Sequence, residues 1–264
     1  MNRRSFIAST VALTTASGMA EAESERRPDA GREYYEIRLM TFESKASLDR
    51  YSAFLTTAFF PAVQRNRLGP AGGFTIADKP ESLSIYLLQA HTTLAAYTQL
   101  ESHLLEDMHF LKEGAFVLDL PATDPPYAHM ESALMLAFES WPKLTPPKES
   151  ANEQPRVFEL RTYESHSRSA NKKKIEMFNK GEAAIFARCG FQPVFFGETL
   201  AGPQVPNLTY MVTYPSIEAR SGFWTAFGAD PEKARLFAIP EYNDKLIVSK
   251  IHSTFLKPIA GSLI

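Results

Sequence analysis

Two Glu-x-Arg pairs are the residues of this sequence best suited to chemistry. Glu36 and Arg38 stand in "YYEIRLMTF" (34–42), and Glu159 and Arg161 stand in the similar stretch "VFELRTYES". An arginine can hold an anionic or carbonyl group, and a neighbouring glutamate can take a proton as a general base. The competing interpretation is structural, because a buried charge needs a partner and each pair supplies one. The residue types leave both interpretations open.

The elements that carry these pairs occur twice. An offset of 123 residues maps Glu36 and Arg38 onto Glu159 and Arg161, which indicates a tandem duplication. Periodicity predicts the order β-α-β-β-α-β in each half, the ferredoxin-like unit. The first unit covers 33–140, the second covers 156–264, and the Pro-rich segment 141–155 reads as a linker.

The predicted strands cover 34–42, 72–77, 83–90 and 130–138 in the first half, and 156–164, 191–199, 207–214 and 245–256 in the second. The predicted helical segments cover 47–65, 93–117, 169–188, 216–227 and 231–237. Gly190 is expected after a helix C-cap, and Asp230 is expected to cap the helix that follows it. The fold class is therefore α+β, with the sheets of two tandem ferredoxin-like units packed face to face.

Alternation along the first strand gives the Glu-x-Arg pairs an expected direction. Tyr35, Ile37 and Leu39 share one face of the strand, and Glu36 and Arg38 share the other. We expect the apolar face to meet the helices. The polar residues of both halves would then converge between the two sheets, in a polar pocket.

Further side chains are candidates for the same pocket. They are Tyr163, Tyr210, Tyr214, His91 and Arg220. The 123-residue offset places His91 at the position equivalent to Tyr214, where a base, a ligand or a histidine bonded to a nearby loop would all fit. Arg220 is expected at the mouth of the pocket or, alternatively, on the surface of its helix.

Metal and cofactor motifs are missing from the sequence. The six histidines form no H-x-x-x-H pattern and no Cys/His cluster, so no metal site is predicted. No G-x-S-x-G, P-loop or G-x-G-x-x-G pattern occurs, which removes the basis for hydrolase, NTPase and dinucleotide functions. The basic run "NKKKIEMFNK" (171–180) is typical of a solvated helix face, with an interaction patch as the alternative.

The N-terminus has the pattern of an export signal. Residues 1–22 contain the twin arginines Arg3 and Arg4, a weakly apolar run and an A-x-A cleavage site at 20–22. The apolar run is too short and too rich in Ser and Thr to form a membrane anchor. We therefore predict a twin-arginine signal peptide, a flexible leader at 23–32 and a periplasmic or secreted protein.

Composition excludes some partners. The 264-residue chain is 44% hydrophobic and 22% charged, with a formal net charge of −2, which is typical of a globular protein. This balance gives no reason to expect nucleic acid or an anionic membrane as a partner. A homo-oligomer stays open.

The sequence resembles the NIPSNAP family. In the second half the resemblance rests on "VFELRTYE", "KIEMFNKGEAAIFARCGFQPVFFGETLAG", "PNLTYMVTY", "FWTAFGADPE" and "FLKPIAGSLI"; in the first it rests on "PESLSIYLLQAH", "DPPY" and "ESALMLAFESWPKL". It covers about 34–264 and is similar to exported bacterial members with tandem domains. The resemblance implies a dimeric α/β-barrel formed within one chain, and it implies no particular reaction.

The resemblance indicates only the general kinds of cofactor and activity found on this fold. Relatives at the level of the fold include cofactor-independent monooxygenases and haem-binding chlorite dismutases. The haem-binding relatives use a helical histidine in the C-terminal unit, and neither His166 nor His252 lies on a predicted helix, so no cofactor is expected. Two hypotheses remain: a small-molecule-binding protein, with or without enzymatic activity, and a non-catalytic interaction module with a structural charged lumen.

Overall fold

The order β-α-β-β-α-β occurs twice in the structure. The computed structural model describes residues 31–148, 150 and 156–264, and Gly31–Ile264 form one compact unit. The predicted signal peptide, almost all of the predicted leader and residues 149 and 151–155 of the predicted linker lie outside the described residues.

The eight strands are close to their predicted positions. They are β1 (Tyr34–Thr41), β2 (Ala71–Ile76), β3 (Ser84–His91), β4 (His129–Ala137), β5 (Val157–Glu164), β6 (Gln192–Ala201), β7 (Asn207–Tyr214) and β8 (Lys250–Pro258). The helices of the first half are α1 (Lys45–Phe54), a π-helical segment (Leu55–Phe59), α2 (Phe60–Arg65), α3 (Leu94–Glu106) and α4 (Met108–Leu118).

The helices of the second half repeat this arrangement. They are α5 (Arg168–Met177), a π-helical segment (Phe178–Glu182), α6 (Ala183–Arg188), α7 (Arg220–Ala229), α8 (Pro231–Phe237) and α9 (Asp244–Ile247), with one 3₁₀ turn at Pro240–Tyr242. The two π-helical segments lie 123 residues apart, so the duplication extends to a local irregularity of the helix. None of the helices in the described ranges is long and apolar enough to span a membrane.

Two four-stranded antiparallel sheets close into one barrel. The strand order is β4-β1-β3-β2 in the first half and β8-β5-β7-β6 in the second, and the pairs β2–β8 and β4–β6 join the sheets. Each sheet has the strand order of a ferredoxin-like unit, so the predicted α+β tandem barrel is confirmed. The helices cover the outside of the barrel.

The predicted facing of the first strand is wrong. Tyr35 and Ile37 pack inside the barrel with Leu88, Phe158 and other apolar residues. Met40, two residues from Arg38, packs instead against the outer helices. Alternation determines which residues share a face but not where that face points. An eight-stranded barrel fills its own interior with side chains, so both faces of the strand are buried and the more apolar face turns inward.

One end of the barrel interior is densely packed. The rings of Tyr35 and Phe195 lie 5.1 Å apart, and those of Phe74 and Phe158 lie 4.9 Å apart. The C-terminal Ile264 is fully buried in the same cluster. A Cβ atom at Gly72 would approach the Phe74 ring to 2.7 Å and Ile264 to 2.9 Å, so glycine there makes room for both side chains.

Two helix boundaries of the second half lie at the predicted capping residues. The Asp230 carboxylate accepts hydrogen bonds from the backbone N–H groups of Glu232 and Lys233, as predicted for α8. Gly190 follows the C-cap of α6 with φ of +88°, also as predicted.

Two predicted boundaries in the second half are wrong. The predicted strand at 245–256 begins only at Lys250, because the Asn243 side chain caps the short helix α9. The predicted helix at 216–227 begins later, at Arg220.

Candidate functional site

The second Glu-x-Arg pair lies in a saturated cluster between β5 and α7. Glu159 is fully buried, and its Oε1 accepts hydrogen bonds from Arg161 at 2.6 Å, Ser253 at 2.6 Å and Arg220 at 2.8 Å. Its Oε2 accepts from Arg220 and from the Tyr214 hydroxyl, both at 2.8 Å. One carboxylate therefore receives five hydrogen bonds from two cations and two hydroxyl groups.

Electrostatics keep this carboxylate ionised. Burial by itself would raise the pKa of Glu159, but the hydrogen bonds from Arg220, Ser253 and Arg161 outweigh it and lower the pKa to about 2. The Trp224 ring covers the Arg161 guanidinium at 4.8 Å and packs against Phe186 and other aromatic rings. A proton acceptor held this firmly in its charged form is a poor general base at neutral pH.

The first Glu-x-Arg pair has the opposite balance of charge. Glu36 Oε1 accepts from Arg38 at 2.9 Å and from Ser132 at 2.7 Å, and Arg38 also contacts Glu101 of α3 at 3.0 Å. This cluster contains two carboxylates and one guanidinium. Glu36 Oε2 is buried without a hydrogen-bond partner among the described residues, and so is His91 Nε2.

Burial explains the state of His91. The side chain is 2% exposed, and desolvation lowers the pKa of the imidazole to about 4, so it is neutral at pH 7. His91 lies next to the Glu36 pair on the outer face of the sheet, where its ring meets Tyr97 edge-on at 5.4 Å.

Matched positions make the two clusters comparable. Ser132 and Ser253 pair in register with Arg38 and Arg161 in their own sheets, so each half repeats a Glu-Arg-Ser set. Sequence reasoning missed both serines, although aligning the last strands of the two halves would have found them. The 123-residue offset also takes Glu101 to Trp224, so a carboxylate in one half replaces an aromatic ring in the other.

The predicted polar pocket between the sheets is therefore wrong for this set of residues. Glu36, Arg38 and His91 lie outside the barrel under the helices of the first half. The remaining candidates lie outside the barrel under the helices of the second half: Glu159, Arg161, Tyr163, Tyr210, Tyr214 and Arg220. The structure brings the candidates together within each half and does not bring the two halves' sets together. Arg220 binds Glu159 and does not reach the barrel mouth.

The basic run at 171–180 also departs from its prediction. Lys174 is 1% exposed, and its Nζ contacts the carboxylates of Glu182 and Asp244 at 2.9 Å each. Burial lowers the pKa of the ammonium group, but the two carboxylates outweigh burial and raise it, so Lys174 is charged. The run is therefore only partly a solvated face, since one lysine is the centre of a buried ion-pair set.

The barrel interior keeps an open cavity of about 250 Å³ at the end opposite Ile264. Its walls are apolar low in the barrel, at Ile37, Met135 and Leu160, and carry hydroxyl and amide groups near the mouth. The polar lining residues include Tyr86, Thr162, Thr199, Gln204, Asn207, Thr209, His252 and Thr254. The side chain of Asn207 donates a 3.1 Å hydrogen bond to the carbonyl of Pro203, in the loop between β6 and β7.

A histidine–carboxylate pair stands at this mouth. His252 of β8 and Glu164 of β5 are joined through His252 Nε2 and Glu164 Oε1 across adjacent strands. When Nε2–H donates to the carboxylate, Nδ1 is left as the acceptor atom of the neutral ring. Sequence reasoning considered His252 only as a haem ligand. Its partner follows from cross-strand pairing, which no local spacing of residues reveals.

A second cavity, of about 400 Å³, lies outside the barrel beside Arg38. Aromatic and aliphatic side chains form most of its wall: Tyr51, Phe54, Phe59, Leu87, Leu104, Phe110 and Val117. Within the described residues, no group of three or more His, Cys, Asp and Glu side chains is placed to hold a metal ion.

Comparison with known structures first gives the class of protein, a dimeric α/β-barrel. The chain is similar to a putative monooxygenase from Lactobacillus acidophilus, with a TM-score of 0.54, 10% identity and coverage of 87% of this chain and 95% of that one. It is also similar to a putative monooxygenase from Fusobacterium nucleatum, with a TM-score of 0.55, 8% identity and coverage of 86% and 93%. At these identities the likeness shows the fold alone.

The second half is similar to a known family. Residues 158–263 match the NIPSNAP family model and lie within the second unit of the barrel. Among curated protein sequences, none matches this chain significantly.

Proposed function

We propose that this protein binds a small molecule in the inter-sheet cavity of its barrel, with His252 and Glu164 at the polar end. The observation that carries the proposal is that His252, which is hydrogen-bonded to Glu164, lines a solvent-reaching cavity of about 250 Å³. Apolar walls with a few convergent polar groups are typical of ligand sites, and this cavity is near the small end of their size range. The ligand is therefore a compact molecule with one hydrogen-bonding end.

The same pair supports proton transfer. Glu164 accepts a hydrogen bond from the Nε2–H group of His252 and orients the ring, and Nδ1 then takes a proton from a weakly acidic O–H or N–H group of the ligand. The resulting imidazolium is stabilised by the Glu164 carboxylate. The similar solved structures carry the description putative monooxygenase, and this analogy at the level of the fold also favours a small-molecule substrate.

Native mass spectrometry of the purified full chain tests the proposal. We expect a co-purified small molecule on the wild type and its loss on His252→Ala and Glu164→Gln. The matched control is His109→Ala, because His109 is an exposed histidine on α4, outside the barrel. Retention of the molecule by both barrel variants would overturn the proposal, as would a wild type that never carries a ligand under gentle purification.

Export is the second component of the proposed function. We infer that residues 1–22 direct the chain to the periplasm or outside through the twin-arginine route, on the basis of Arg3, Arg4 and the A-x-A site. Replacing both arginines with lysine is expected to leave the uncleaved chain in the cytoplasmic fraction. Processing that proceeds equally in the lysine variant would contradict the inference.

A second candidate function is an interaction module, and a specific surface favours it. Helices α3 and α4 expose large apolar side chains: Leu94, Leu105, Met108, Phe116 and Leu118. A second copy of this chain is the partner expected on that surface. Light scattering after size-exclusion chromatography would then give a dimer for the wild type and a monomer for Met108→Glu.

A further inference from the structure

We propose that the cavity beside Arg38 is a second ligand site, which takes the carboxylate of a molecule with an apolar tail. It lies between the outer face of the first sheet and helices α1, α3 and α4. It does not overlap the barrel interior, so this proposal is independent of the proposed function.

The chemistry of the cavity selects for an amphipathic molecule. Its volume is about 400 Å³, and its wall is formed mainly by Phe, Tyr, Leu and Val side chains. Arg38, whose side chain is 17% exposed, is the cation among the lining residues of this cavity. A guanidinium in an apolar surrounding binds a carboxylate through charge-assisted hydrogen bonds.

Glu101 already shows what Arg38 binds. Its carboxylate contacts Arg38 at 3.0 Å, while 65% of its side chain is exposed to solvent. Exposed ion pairs contribute little to stability, so this carboxylate can leave the guanidinium at small cost. A ligand carboxylate that takes its place leaves Arg38 in contact with two carboxylates, as before.

The mouth of the cavity is open and apolar. Leu105, Leu118 and Met130 line it and are 58%, 39% and 38% exposed. Large apolar side chains that remain in water around a cavity favour an apolar tail that enters there.

The second half shows the same position closed. Trp224 stands where the first half has Glu101, and its ring lies 4.8 Å from the Arg161 guanidinium. Phe186, Tyr210 and Phe227 stand where the first half has Val63, Leu87 and Leu104. At these positions the second half has aromatic rings where the first half has smaller side chains.

Titration calorimetry with decanoate, below its micelle concentration, tests the site on the full chain. We expect one decanoate per chain and markedly weaker binding of decanol, which lacks the carboxylate. Glu101→Gln removes the internal competitor and is expected to tighten decanoate binding about two- to fivefold. Glu106→Gln, on the same helix but outside the cavity wall, is the control and is expected to bind decanoate as the wild type does.

Further variants separate this site from the barrel interior. Arg38→Gln is expected to abolish decanoate binding. If Arg38→Gln does not fold, the Glu101→Gln variant still tests the site, because tighter binding can be measured only on a folded protein. His252→Ala is expected to leave decanoate binding unchanged, whatever its effect on a ligand of the barrel. The proposal is overturned by a wild type that does not bind decanoate, by equal affinity in Glu101→Gln and wild type, or by loss of binding in His252→Ala.

Discussion

Glu36 and Glu159 occupy the same position in two copies of one strand, yet the residues around their Glu-Arg-Ser sets differ. Glu159 receives hydrogen bonds on both oxygens and is sealed by aromatic rings, with two arginines to one carboxylate. Glu36 has one oxygen without a hydrogen-bond partner in the described part of the chain, shares one arginine with Glu101 and lies beside a cavity. Both copies keep the Glu-Arg-Ser set, so the set belongs to the fold and the difference lies in what surrounds it.

The structural interpretation of the Glu-x-Arg pairs fits the second half, and the ligand-binding interpretation fits the first. In the second half the guanidinium groups bind a buried carboxylate and lie against aromatic rings, so the cluster is structural. In the first half Arg38 lies at the edge of an apolar cavity and holds the exposed Glu101 carboxylate, for which a ligand carboxylate can compete. The predictions below test whether the halves have separated in this way.

The largest difference in unfolding free energy between the halves is expected when the buried glutamates themselves are replaced. Glu159→Ala leaves Arg161 and the Tyr214 hydroxyl without their shared acceptor and is expected to cost about 3–5 kcal/mol of unfolding free energy. Glu36→Ala is expected to cost less, about 1–2 kcal/mol, because Arg38 retains Glu101 as a partner. Urea unfolding of both variants measures this, and equal losses would remove the distinction between the halves.

The free energy of unfolding should depend on pH through His91 but not through Tyr214, the residue at the matched position of the second half. The folded pKa of His91, about 4, lies below its unfolded value, so the unfolded state takes up the proton first as the pH falls. The stability contributed by keeping His91 neutral is therefore complete above about pH 6.5 and is lost between about pH 6.5 and 4, by up to about 3 kcal/mol.

The comparison variant is His91→Phe, which cannot titrate at this position. As the pH falls from about 6.5 to 4, we expect the wild type to lose more unfolding free energy than His91→Phe does. Tyr214→Phe, at the matched position in the second half, should show no shift between pH 6.5 and 4. A constant difference for His91→Phe would show that burial does not depress the pKa of His91.

Smaller losses of unfolding free energy are expected when the helix residues that contact Arg38 and Arg161 are replaced. Trp224→Ala removes a ring from the aromatic cluster and is expected to cost about 2–3 kcal/mol. Glu101→Ala removes an exposed carboxylate and is expected to cost less than about 1 kcal/mol. Thermal unfolding of the two variants gives the comparison, and a larger loss for Glu101→Ala would mean that the first cluster is the structural one.

The sequence predicted the fold well because both of its signals are periodic. Alternation and helical spacing located the strands, and the 123-residue repeat predicted two equivalent units in one barrel. The same reasoning placed Glu36 and Arg38 in the barrel interior, which is wrong. In a closed barrel both faces of each strand are buried, so polarity along one strand does not say which face turns inward.

The candidate site was predicted less well because its contacts join distant segments. His252 and Glu164 meet only through the pairing of β5 with β8, and Glu101 reaches Arg38 from a helix about 60 residues later in the chain. Neither contact leaves a spacing pattern in the sequence. The predicted pairs within one strand, Glu36 with Arg38 and Glu159 with Arg161, are confirmed because alternation alone brings them together.

The most direct test exchanges the residue that distinguishes the two halves. In Glu101→Trp the first half receives the second half's side chain, which is expected to stack on the Arg38 guanidinium as Trp224 stacks on Arg161. Titration with decanoate should then show binding at least about tenfold weaker than in the wild type, with the melting temperature unchanged or raised. A folded Glu101→Trp that binds decanoate as tightly as the wild type would contradict the account.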